Sequence, residues 1–99
     1  MIDWDRVDGL RDEIGEEAFA DVVALFLREC DETVDGIAAH GAAGPEVRHF
    51  LKGAALNLGF DALARVCDDP ASGADAGRLV SVYADTRAAF VARMAPVGV

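Results

Sequence analysis

Apolar residues return every three or four positions along almost the whole chain. No stretch alternates apolar with polar in the two-residue rhythm of a half-buried strand. The pattern predicts an all-α protein. A first helix runs from an Asp3 N-cap to Ile14, with Val7, Leu10 and Ile14 as its apolar stripe, and Gly15 ends it. A second, 16–39, opens on Glu16 and Glu17, acids that suit the positive end of a helix dipole. Its stripe of Phe19, Val22, Val23, Phe26, Cys30, Val34 and Ile37 is long enough to span the domain. The turn HGAAGPE follows, and Gly44-Pro45 starts a third helix, 45–58, that stops at Gly59. A fourth, 60–68, carries Leu63, Val66 and Cys67, and DDPASGADAG is the one real loop. The last helix, 75–94, buries Leu79, Val82, Tyr83, Thr86, Phe90 and Met94, with the Tyr83 hydroxyl near the surface. Short links between amphipathic helices predict antiparallel neighbours, hence an antiparallel up-down four-helix bundle with a short extra N-terminal helix. Trp4 and Phe19 are expected to pack at its base.

Composition narrows the class. Ninety-nine residues form one domain, 1–99, and 53% hydrophobic content suffices for a single core. No apolar run approaches the roughly 20 residues of a membrane span. The opening MIDWDRVDG is acidic from its third residue, unlike a signal or transit peptide, and its start at Met1 favours a stand-alone protein. Cys30 and Cys67 show no metal-ligand spacing and are expected as buried free thiols of a cytoplasmic protein. The net charge of −9 sits entirely in residues 1–35, where twelve acids face three bases, while the remainder is balanced. Such a chain repels phosphate backbones and anionic lipid, so neither nucleic acid nor a membrane surface is an expected partner.

The third helix is two-sided. At about 100° per residue, Val47, Phe50, Leu51, Ala54 and Leu58 converge on one side and are the expected core face. His49, Lys52, Gly53 and Leu56 converge on the other. A leucine in the middle of that polar face, beside a histidine, a lysine and a glycine, suggests a docking surface. Arg48 and Asn57 border it. Neutral imidazole is a nucleophile at pH 7. Lys52, at i+3 from His49, can reach an anion attached to the ring. A mid-helix glycine costs roughly 1 kcal/mol relative to alanine, and Gly53 at i+4 keeps the space above the imidazole open to a second protein.

These residues, HFLKGAALNLG, resemble the signature of the histidine phosphotransfer (HPt) domains of bacterial two-component phosphorelays, H-x-L-K-G-[SA]-[SA]-x-x-L-G. His49 matches the phospho-accepting histidine, Lys52 the lysine and Gly53 the glycine, while Leu51, Leu58 and Gly59 match structural positions. The order of helices is similar over nearly the whole chain. The resemblance implies a four-helix bundle that carries phosphoryl groups between receiver-domain aspartates, with no kinase or nucleotide-binding activity of its own. It implies response-regulator receiver domains and a hybrid sensor kinase as partners of a monomer. Mg²⁺ is expected from the receiver, because this chain offers no metal cage near His49. Two departures stand out. Ala54 and Ala55 leave no hydroxyl after the glycine, and the link between the last two helices is short, so the bundle is expected to thin at one end.

The alternative is a helical module that binds a receiver or kinase without carrying phosphate. A degenerate relative would be expected to lose the histidine, and this chain keeps His49, Lys52 and Gly53 together. A metal or haem protein using His40 and His49 is disfavoured. No histidine or carboxylate lies at i+4 from His49, and His40 falls in the HGAAG turn.

Overall fold

The computed structural model describes residues 2–73 and 76–98, and every regular element among them is helical. The elements are α1 (Trp4–Ile14), α2 (Glu16–His40), α3 (Pro45–Leu58), α4 (Asp61–Asp68), a 3₁₀ turn (Pro70–Gly73) and α5 (Gly77–Gly98). Local chemistry sets most of the boundaries. The Asp3 carboxylate accepts the Arg6 N–H at 3.2 Å and caps α1. Gly41 and Gly59 close α2 and α3 in the left-handed conformation, at φ 75° in both. Pro45 opens α3, where its missing N–H has no partner to lose.

Some boundaries differ from the pattern: α2 runs one residue further, to His40, and α4 starts one residue later, at Asp61. The last helix extends past Met94 to Gly98. The expected start at Asp75 lies outside the described residues, as does Ala74 of the expected loop. Before them the loop tightens into the 3₁₀ turn, whose Ala71 N–H donates to the Asp69 carboxylate at 3.0 Å.

Helix α2, with 25 residues and a rise of about 37 Å, runs nearly the length of a molecule measuring 39 × 21 × 19 Å. It packs against α3 on one side and α5 on the other, and α4 packs against α3 and α5. Helix α1 lies against α2 and α3. Leu51, Leu58, Phe60, Leu63, Leu79 and Phe90 are essentially inaccessible and form the centre of the core. At its base the Trp4 ring stacks on Phe90 with centroids 5.8 Å apart, and Phe60 meets Phe90 edge-on at 5.3 Å. The Arg93 guanidinium lies over the Trp4 ring, 4.3 Å from its centroid, and Arg11 lies over Phe19.

On the flank between α2 and α5, Arg87 clamps both carboxylate oxygens of Asp31 at 2.7 and 2.8 Å, and the Tyr83 hydroxyl donates to the same group. The guanidinium hydrogen bond, foremost, holds the Asp31 carboxyl below its usual range. The Tyr83 body is buried and its hydroxyl reaches this surface cluster, as its amphipathic ring favours. Cys30 and Cys67 are both free and buried, and loss of hydration pushes each thiol up to about 11.

Gly59 carries the tightest backbone approach. Its carbonyl accepts the Asp3 N–H at 2.7 Å, and a Cβ added to it would sit 2.5 Å from the Asp3 carbonyl oxygen. Gly59→Ala should therefore destabilise the fold by about 2 kcal/mol or more, combining left-handed strain with displacement of the N-terminal segment. A urea midpoint equal to that of the unmodified protein would contradict this. Thr86 provides the opposite test. Its hydroxyl is fully buried in α5 and has no hydrogen-bond partner among the described residues. Thr86→Val keeps the shape and should raise stability by roughly 1 kcal/mol, read in the same unfolding series.

Candidate functional site

Helix α3 is held on two sides and open on a third. Leu51, Ala54, Ala55 and Leu58 are buried, while His49, Gly53, Leu56 and Asn57 face outward. The imidazole thus stands exposed on a helix whose opposite face is locked into the core. Leu56 is 51% exposed, an apolar side chain on the same outward strip.

Phe50 is a correction. The periodicity placed it in the core, but it is 43% exposed, and Ala55 is fully buried instead. The reason is phase. Phe50 lies about 100° from His49 and about 80° from Leu58 around the helix, on the flank rather than at the centre of the stripe. Ala55 lies on the opposite flank, where α4 packs closely. The large ring therefore adds an apolar surface at the edge of the outward strip that the pattern had assigned to the interior.

A shallow open cleft of about 210 Å³ borders His49, lined by Pro45, Arg48, His49, Lys52, Cys67 and Asp68. One wall is the N-terminal half of α3 and the other is the last turn of α4. The two cations in it are not equivalent. Arg48 is partly buried and donates to two backbone carbonyls, Ala43 at 3.2 Å and Cys67 at 3.4 Å. It fastens the α2–α3 turn and the end of α4 to α3, so its first task is architectural. The Lys52 side chain is 38% exposed, and its ammonium pairs with the Asp68 carboxylate at 2.8 Å. A partly solvated pair of this kind contributes at most about 1 kcal/mol, so the lysine can exchange partners readily.

The comparison with the expected site residues is uneven. His49, Lys52 and Arg48 share one cleft, and Gly53, Leu56 and Asn57 continue along the exposed strip beside it. Asp68 and Phe50 are additional members. The sequence marks Asp68 only as one of two consecutive acids after the apolar α4 stripe, and its pairing depends on how α4 crosses α3. His40 ends α2 as an exposed residue and does not line the cleft. Among the described residues no three His, Cys, Asp or Glu side chains gather as a group able to hold a metal ion, and no helix is long and apolar enough to cross a membrane. No family model, curated protein or solved structure matches the chain.

Gly53 needs neither a special backbone angle nor a close neighbour: a Cβ there would meet nothing within 4 Å. Its cost to the helix has no compensation within the fold. Gly53→Ala should therefore raise stability by up to roughly 1 kcal/mol, and Gly53→Gln should also fold without loss. Thermal melts of the two variants check this, and unfolding of either would place the residue in a packed contact.

Proposed function

We propose that the chain is a histidine phosphotransfer domain that accepts a phosphoryl group on His49 from a receiver-domain aspartate and passes it to another receiver. The observation that carries this reading is the open strip on α3. An exposed imidazole stands on a helix fixed from behind, with a lysine in the cleft beside it and a glycine one turn on. The glycine gives up helix stability and leaves the approach clear.

The mutual packing of α2 with α3, α3 with α4, α4 with α5 and α5 with α2 supports reading the fold as an antiparallel up-down four-helix bundle, with α1 as the extra N-terminal helix. The signature HFLKGAALNLG supports assigning it to a phosphorelay, with receiver domains and a hybrid sensor kinase as partners. On this reading the protein is a cytoplasmic monomer.

Chemically, the lone pair of Nε2, the ring nitrogen farther from the helix backbone, attacks phosphorus. The bond from phosphorus to the aspartyl oxygen breaks, and the carboxylate departs with its electron pair. The N–P bond then stores the group until a second receiver aspartate takes it in the reverse sense. Positioning and charge stabilisation dominate such transfers. Lys52 supplies positive charge to the phosphoryl oxygens, while Mg²⁺ belongs to the receiver. Leu56, Phe50 and Asn57 offer the receiver a mixed apolar and polar rim around His49.

Incubation with a phosphorylated receiver should label this chain, and the label should be acid-labile and base-stable. His49→Gln should abolish it while leaving the melting temperature nearly unchanged. Lys52→Ala should slow transfer without blocking it, and the defect should shrink as salt rises. Receiver binding without any label would favour the non-carrying module, and labelling of His49→Gln would exclude His49 as the acceptor.

A further inference from the structure

The Lys52–Asp68 pair has a consequence for the phosphoryl site. The cleft beside His49 is lined by two cations and one carboxylate, with Arg48 committed to backbone carbonyls and Lys52 held only by a partly solvated ion pair. Lys52 is therefore the charge free to meet an incoming phosphoryl anion, yet its ammonium rests on Asp68 at 2.8 Å. Asp68 projects from the end of α4, 60% of its side chain exposed, so the fold does not require a carboxylate there. A carboxylate in a cleft that is to receive an anion works against binding in two ways. It repels the anion directly and occupies the cation that would hold it.

We propose that Asp68 is a positioning residue that restrains the phosphoryl site, engaging Lys52 while His49 is empty and yielding it only to a competing anion. The inference rests on the carrier reading of His49. With Asp68 in place, the phosphorylated form is held less tightly than His49, Lys52 and Gly53 alone would hold it. The restraint keeps the carrier ready to release its group to a receiver and discourages phosphorylation by small adventitious donors.

The test uses potassium phosphoramidate, a small phosphodonor that needs no partner protein. Imidazole nitrogen forms the N–P bond, the donor's own N–P bond breaks, and its nitrogen leaves as ammonia after taking up a proton. The rate of phosphorylation is followed by ³¹P NMR and intact mass for the unmodified chain, Asp68→Asn, Lys52→Gln and the double variant. Asp68→Asn should accelerate labelling by about two- to fivefold at low ionic strength, the span that an exposed ion pair of up to about 1 kcal/mol allows. The gain should fade with added salt and be largely lost in the Lys52→Gln background. Circular dichroism of each variant confirms an intact fold.

An Asp68→Asn rate equal to or below that of the unmodified chain overturns the restraint. So does a gain that persists undiminished with Lys52→Gln, since direct repulsion would then act without the lysine. If the unmodified chain takes no phosphoryl group on His49 from either phosphoramidate or a phosphorylated receiver, the carrier reading itself falls.

Discussion

The fold closes where the chain's third residue meets the end of α3. The Asp3 N–H donates to the Gly59 carbonyl, and the Asp3 carbonyl occupies the space a side chain at Gly59 would need. That one contact ties the entry to α1 to the corner between α3 and α4. Asp3 is also the α1 N-cap, so the same residue sets the start of the helix whose first residue, Trp4, stacks on Phe90. Phe60, the first residue past the corner, completes the aromatic group from the other side. The base of the molecule is thus set by backbone geometry first and filled by rings second.

From that base α3 rises as a helix with divided duties. Its buried residues hold it between α2 and α4, and its outward strip bears no packing obligation. The division explains why two glycines of the same short motif behave so differently. Gly59 is indispensable to the backbone, while nothing in the fold asks for Gly53. A residue that costs stability and returns none inside the molecule points outward, to whatever approaches His49. The charge distribution follows a similar logic. Arg48 has been drawn into the architecture and Lys52 left at the surface, so one of the two neighbouring cations is fixed and the other can respond.

Much of this was readable from the chain. Helix α3 announced both of its ends through Gly44-Pro45 and Gly59, and the α1 start followed from Asp3, because caps are local chemistry. The outward position of His49, Lys52, Gly53 and Leu56 followed from helical phase. Phase failed at Phe50, which lies on the border of the stripe, where the neighbouring helix rather than the period decides burial. Asp68 was invisible as a site residue for a related reason. Its partner Lys52 is on another helix, and only the crossing of α3 and α4 brings the two charges together. The role of Arg48 depended on two carbonyls that no side-chain pattern encodes.

The single tryptophan of the chain is stacked on Phe90 beneath the Arg93 guanidinium, at the base of the molecule. His49 lies ten residues before Gly59 along α3, about 15 Å up the helix axis from the corner where that base is tied. The molecule therefore carries a built-in optical reporter that watches one end and is nearly blind to the other. Its indole emission follows the docking of α1 onto α5 and registers loss of the fold. Events confined to the imidazole leave it largely unchanged. Unfolding can accordingly be followed by fluorescence without interference from the chemical state of the histidine, and a signal that does change when the histidine is modified would reveal motion transmitted down α3.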